Sequence, residues 1–223
     1  MNYRYYTNNS IKATTGLVAA YNMIPSNGTL VDISGNGNNG TITGGVVQGK
    51  EGLVFDGTTG YVNFTNTKLA TSDFTVITRV KLNDYPILAR NIISTTTLDF
   101  GRFLGIYNKS IGLYNGSEWL SGATELISKQ EYTLAYVCDS SAINLYVDGV
   151  LDRTGSKGLY NGLSLEIIGK WTSDFSRNVS GVIKDIRFYN RALSVQEIKD
   201  YHNSFIKPVI LEDWSGSAVS DVI

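Results

Sequence analysis

Asp32-Ile33-Ser34-Gly35-Asn36-Gly37-Asn38 gathers a carboxylate, a hydroxyl, two amides and two glycines in one short stretch. Hard divalent cations take carboxylate and carbonyl oxygens presented by an irregular loop. Asp32, Gly35, Asn36 and Asn38 are therefore candidate ligands for a structural calcium ion. The alternative is a turn in which Asp32 and the asparagines bond their own backbone. A second group is aromatic. Trp119 closes Tyr114-Asn115-Gly116-Ser117-Glu118-Trp119, and Trp171 lies in Lys170-Trp171-Thr172-Ser173-Asp174-Phe175, both near strand ends with polar company. A sugar is held by an apolar ring face beside directional hydrogen-bonding groups. Trp119, Trp171, Tyr114 and Asp174 are the candidate ligand-binding residues, with Tyr107 and Tyr160 behind them. Packing of both tryptophans over the edge of a β-sandwich is the other reading.

Other chemistry is poorly represented. Cys138 and His202 are the single cysteine and histidine. They could form a nucleophile pair, but Cys138 ends an alternating strand and His202 lies near a helix end. A buried thiol and a solvated imidazole are expected instead. The glycines from Gly35 to Gly40 lack the Lys-Ser/Thr of a phosphate loop. With 19 basic and 20 acidic residues spread along the chain, the formal net charge is -1 and no basic stripe forms, which argues against a nucleic-acid partner. One cysteine rules out an internal disulfide framework. No apolar run approaches the roughly 20 residues that span a bilayer, and Met1-Asn2-Tyr3-Arg4-Tyr5-Tyr6-Thr7 lacks the plan of a signal peptide.

The elements that must position these groups are strands. Of 223 residues, 42% are hydrophobic and 14 are tyrosine, while glycine reaches 23 and proline only 3, a mix of strand and turn formers. Alternating apolar runs at 17–21, 46–48, 52–55, 61–64, 74–82, 91–96, 103–107, 111–114, 132–138, 142–147, 165–169 and 181–189 predict about a dozen strands, the pattern of a sandwich or barrel. Asn-Gly and Asp-Gly pairs between them supply tight turns, and Asp139-Ser140-Ser141 turns the clearest hairpin. Tyr21, Tyr61, Phe64, Tyr146 and Phe188 read as core or sheet-face residues. One helix stands out. Ser194-Val195-Gln196-Glu197 is a capping box, Ile198 and Tyr201 share the docking face, and the end falls near Asn203. Residues 1–15 form a polar arm. Residues 206–223 form a tail with two small apolar clusters, read equally as a docking element or a disordered end.

Gly16-Leu17-Val18-Ala19-Ala20-Tyr21, Phe55-Asp56-Gly57 with Gly60-Tyr61-Val62, Leu145-Tyr146-Val147-Asp148-Gly149, and Gly181 to Ser194 with its Tyr189-Asn190-Arg191-Ala192-Leu193-Ser194 run occur in one order. In that order they resemble the concanavalin A-like lectin/glucanase superfamily, more narrowly its laminin-G-like jelly-roll branch, over residues 16–205. The resemblance implies an all-β, two-sheet antiparallel jelly-roll sandwich with one short C-terminal helix, its termini meeting on one side. It also sets the Asp32 loop near the last strand, with Asp185 as second carboxylate on the cation. The chain departs from the family at Asn22-Met23-Ile24-Pro25, where an acidic residue is common. It also lacks the Glu-x-Asp-x-x-Glu strand of the superfamily's glucanases, so an enzyme is not expected.

Domains of this family occur often in virion proteins. The expected function is a non-enzymatic structural or attachment unit of a virion-type assembly with possible glycan binding. It would contact other structural proteins or further copies through residues 1–15 and 206–223. The alternative is a secreted or cell-surface carbohydrate-binding lectin module.

Overall fold

The computed structural model describes residues 13–68, 73–85, 89–94, 103–114, 118–156, 164–171 and 177–205. The arm up to residue 12, the tail from residue 206, Tyr160 and Asp174 lie outside the described residues. In chain order the first strands are β1 (Leu17–Tyr21), β2 (Pro25–Ser26), β3 (Thr29–Leu30), β4 (Gly40–Thr43), β5 (Val46–Gln48), β6 (Leu53–Asp56), β7 (Tyr61–Lys68), β8 (Phe74–Leu82) and β9 (Arg90–Ser94). There follow β10 (Phe103–Tyr107), β11 (Ser110–Tyr114), β12 (Trp119–Ser121), β13 (Glu131–Cys138), β14 (Ala142–Val147), β15 (Val150–Ser156), β16 (Ser164–Ile168), β17 (Ser180–Tyr189) and helix α1 (Val195–Asn203). One sheet runs β15-β14-β13-β8-β17-β6-β5, with β1 added beside β17; the other runs β12-β11-β10-β9-β16-β7-β4-β3-β2. The pairings are antiparallel, and the two sheets face each other as the expected jelly-roll sandwich.

Local sequence explains the hairpins. Asn27-Gly28, Asn108-Lys109 and Asp148-Gly149 all take positive φ and close two-residue turns whose twist matches that of the flanking strands. Asp139 turns β13 into β14 by accepting the N–H groups of Ser141 and Ala142, each at 2.8 Å. Between the sheets, Leu53, Phe55, Val80 and Ile183 meet Ile93, Leu104, Ile106, Ile111 and Leu113. Tyr21, Phe64 and Phe188 pack ring against ring with centroids 5.7–6.2 Å apart, bearing out their reading as core.

A smaller apolar cluster lies on the outside of the first sheet. There Leu193, Ile198 and Tyr201 of α1 and its lead-in cover Ile77, Ala135, Val137, Tyr146 and Tyr189. This sheet is thus buried on both faces, which is why β8 and β13 read as near-continuous buried runs. Strands that the alternation did not predict are β2 to β4, β12 and β15. β2 and β3 have only two residues each, β4 (Gly-Thr-Ile-Thr) has a single large apolar side chain, β12 is the short partly exposed edge Trp-Leu-Ser, and β15 (Val-Leu-Asp-Arg-Thr-Gly-Ser) is an exposed edge without an apolar period.

The two ends of the domain are clasped. β1 pairs with β17, the Asn190 N–H reaches the Gly16 carbonyl at 2.9 Å, and Arg191 Nε donates to the Thr15 carbonyl at 2.8 Å. The same guanidinium holds Glu197 in a two-point pair at 2.6 and 3.0 Å, and Ser194 and Glu197 complete the capping box. Arg191, together with the Ser194 N–H and hydroxyl, pulls the Glu197 carboxyl down to about 2. A depressed carboxylate stabilises the fold above its unfolded pKa, and that contribution is lost as pH falls. The thermal midpoint should therefore drop between pH 4.5 and about 2, and Glu197→Gln should flatten that part of the profile. Ser194→Ala should cost about 1 kcal/mol at neutral pH, read by urea unfolding.

Candidate functional site

The Asp32 loop closes on itself. Asp32 Oδ1 accepts the N–H groups of Ala20 (3.0 Å) and Ser34 (2.9 Å), and Oδ2 accepts that of Asn38 (2.9 Å). Burial alone would raise this carboxyl, but these bonds outweigh it and hold the pKa below its ordinary value. Asn36 and Asn38 donate their amides to the Val18 carbonyl at 3.1 and 2.8 Å, and Gly35 supplies a positive φ in the turn. N–H groups point at the carboxylate where a cation would need carbonyl oxygens.

Asp185 is elsewhere, which corrects the expected carboxylate pair. The alternation of β17 sends Ile186 and Phe188 inward and Asp185, Arg187 and Tyr189 beneath α1. There Arg187 Nε donates to Asp185 at 3.1 Å, and the Tyr201 hydroxyl also donates to it. Burial pushes the Asp185 carboxyl up while Arg187 pulls it back. Ala20 turns its N–H and its carbonyl away from β17 to Asp32 and Ile33, so β1 stands between the two carboxylates. The set Asp32, Gly35, Asn36, Asn38 and Asp185 does not fit a shared calcium ion. Among the described residues no cluster of acidic, histidine or cysteine side chains suits a metal.

The aromatic candidates behave differently. Tyr107 lies opposite Ser110, Gly112 opposite Ser121, and Tyr114 opposite Trp119. Leu104, Ile106, Ile111 and Leu113 alternate with these positions and enter the core, so Tyr107, Tyr114 and Trp119 share the outer face of the second sheet. Trp119 is the first residue of an edge strand, not a loop residue. Its indole stacks on Tyr107 with centroids 4.1 Å apart and planes 7° apart, and Tyr114 leans on it at 5.3 Å. Gly112 makes the room: a Cβ there would stand 2.9 Å from Tyr107 Cβ and 3.3 Å from the indole. The Ser110 and Ser121 hydroxyls bond each other at 2.7 Å on the same face. All three rings are partly exposed.

Trp171, just past β16, does not join this group. Its ring carries the guanidinium of Arg177 at 4.1 Å, and Lys170 stands over Tyr61 at 4.4 Å. Neither cation stood out in the sequence; their signal is adjacency to an aromatic across a loop, which spacing does not reveal. Cys138 is buried, while His202 meets Thr133 at 2.9 Å near the end of α1, so the two do not form a pair.

A family model described as the concanavalin A-like lectin/glucanases superfamily matches residues 56–199. The chain belongs to that superfamily. Solved structures with the superfamily sandwich include domain 4 of a GH43 extracellular arabinanase from Geobacillus stearothermophilus in complex with arabinotriose. It has TM-score 0.66 and 22% identity, over 82% of this chain and 97% of that one. The ligand-binding domain of botulinum neurotoxin serotype D in complex with N-acetylneuraminic acid gives TM-score 0.70 at 15% identity, over 92% and 55%. A Trypanosoma rangeli sialidase in complex with sialic acid gives 0.65 at 18%, over 84% and 32%. The chain thus spans about half of the toxin domain and a third of the sialidase. At these identities the likeness is one of fold. No curated protein matches the chain. Among the described residues no helix is long and apolar enough to cross a membrane.

Two outcomes follow for this lectin-like domain. Asp32→Ala should lower the melting midpoint, because it strips three buried or half-buried N–H groups of their acceptor, whereas a calcium chelator should leave the wild-type midpoint unchanged. A chelator-sensitive midpoint would restore the cation to the loop. Gly112→Val should force Tyr107 and Trp119 apart, seen as loss of near-ultraviolet dichroism with the far-ultraviolet β signal retained.

Proposed function

We propose that the chain is a non-enzymatic carbohydrate-binding module whose ligand lies on the outer face of the second sheet, against Tyr107, Tyr114 and Trp119. The observation that carries this reading is the parallel Tyr107–Trp119 stack, held open by Gly112 and left partly exposed on the face opposite the core. A preset aromatic surface presents a ring face to a sugar without an ordering cost at binding, with hydroxyls alongside for direction. Among the described residues, the centre of the first sheet's outer face is covered by α1. Structures that share this fold were solved in complex with arabinotriose and with N-acetylneuraminic acid, which supports a sugar as the ligand class.

The carboxylates support binding without turnover. Glycoside hydrolysis needs two facing carboxyls, one with a raised pKa. Asp32, Glu51, Asp56, Glu131 and Glu197 are all shifted downward by cations, hydroxyls or backbone N–H groups. Among the described residues the carboxyl shifted upward is that of Asp185, which lies under α1 against Arg187 and Tyr201. A place outside the cell or at its surface accords with glycan binding. The virion-attachment reading draws on the family's occurrence in virion proteins and on the arm and tail, and neither the site nor the comparisons support it.

Screened on a glycan array and then titrated calorimetrically, Trp119→Ala and Tyr107→Ala should each bind the selected sugar at least about tenfold more weakly, a change of about 1.4 kcal/mol. Unchanged affinity in both variants, or measurable glycoside turnover by the wild type, would overturn the reading.

A further inference from the structure

The aromatic face does not end at Tyr107. On β11 the four steps from Tyr114 to Ser110 cover roughly 13 Å at about 3.3 Å per residue, with the Tyr107–Trp119 stack across them. Beyond Ser110, the Asn108-Lys109 turn faces the segment that follows β12. Between them lies a hollow of about 350 Å³, lined by Asn108, Lys109, Ser110, Gly122, Ala123 and Glu125. Ser110 belongs to both places. It lies opposite Tyr107, bonds the Ser121 hydroxyl on the outer face, and forms one wall of the hollow. Past Lys109 and Glu125 a second hollow follows, bordered by Leu126 and the exposed Ile127. The surface is an extended path, open beyond the ion pair.

The walls are fixed without a ligand. Asn108 and Lys109 hold positive φ in their two-residue turn, and the Lys109 carbonyl accepts the Leu126 N–H at 2.8 Å. Asp152 accepts the N–H groups of Ala123 and Thr124 at 2.8 and 2.9 Å, which pins the opposite wall. Hydrogen-bonding capacity is left over. Lys109 Nζ donates one bond to Glu125 Oε1 at 2.8 Å. Among the described residues nothing engages Glu125 Oε2, the Asn108 amide or the other Lys109 donors. With side chains 47 and 70% exposed, the pair contributes little to the fold. An ammonium beside a carboxylate offers a donor and an acceptor at the spacing of two neighbouring ring hydroxyls, and bonds to charged groups are the stronger kind.

We infer that the hollow is a second subsite of an elongated glycan groove. The ligand is a linear oligosaccharide of at least three units, with one ring on the Tyr107–Trp119 stack and the vicinal hydroxyls of a later ring on Lys109 and Glu125. This assignment deepens the glycan-binding reading above and rests on it. A single sugar covers the stack and leaves the hollow to water. Each further unit along the path meets groups already in place, so affinity grows with chain length at little ordering cost to the protein.

Calorimetry on three neutral ladders tests this: arabinose to arabinotetraose, xylose to xylotetraose, and glucose to cellotetraose. In the ladder that binds, the tetrasaccharide should bind about tenfold tighter than the disaccharide. Lys109→Met combined with Glu125→Gln should remove that gain, and so should Ala123→Trp, which fills the hollow, each in protein with the wild-type melting midpoint. Equal affinity for disaccharide and tetrasaccharide, a gain that survives either change, or binding of array glycans with none of the three ladders overturns the groove and leaves the glycan reading standing. Binding of no sugar at all, by a protein whose melting curve is intact, overturns both.

Discussion

β17 is hydrogen-bonded along both edges, and the architecture depends on that. On one side it runs beside β8 for nearly its whole length; on the other it pairs first with β6 and then with β1. The last strand of the domain therefore ties together its first strand, its early hairpin and the long central β8. A register shift between Ile183 and Asp185 lets one strand serve both neighbours. It sets Lys184 against Glu51 and Glu131, and sends Asp185, Arg187 and Tyr189 under the helix. Breaking the Asp185–Arg187–Tyr201 group would leave a charge buried beneath α1 without compensation, which is far more damaging than losing a surface pair.

That constraint also decides where a ligand can go. α1 follows β17 directly, and the Arg191–Glu197 pair with the capping box holds its first turn, so the helix docks on the outer face of the first sheet. The outer face of the second sheet carries Tyr61, Tyr107, Tyr114 and Trp119, while Phe64 turns inward. The hairpin β10–β11 and the edge strand β12 assemble Tyr107, Tyr114 and Trp119 through register alone. A one-residue slip there would send these rings inward and the core leucines out.

Much of the fold was legible because strand alternation, turn dipeptides and a capping box are local signals. The long strands, the Asp139 turn and the helix with Ile198 and Tyr201 inward follow from neighbours in sequence. β15 and the two-residue strands were not legible, since an exposed edge imposes no apolar period. The site was legible by residue type and not by partnership. Trp119 and Tyr114 stood out as aromatics in polar company, whereas the stack with Tyr107 needs cross-strand register and the space left by Gly112. The Asp32 loop misled for a related reason. The oxygen-rich composition that suits a cation also suits a turn whose carboxylate collects N–H groups, and only the direction of the Ala20 N–H separates the two.

The double pairing of β17 also bears on how the polypeptide is made. A ribosome releases residues 17–82 long before residue 189, so β1, β6 and β8 emerge with the edges meant for β17 unpaired. The first sheet stays open through most of this domain's synthesis, and its completion is a late, long-range event of the slow kind that high contact order imposes. During that interval the apolar faces of β8 and β13 are exposed to other nascent chains. Chaperone dependence and inclusion-body formation should track the elongation rate over residues 140–190 more closely than the stability of the finished domain.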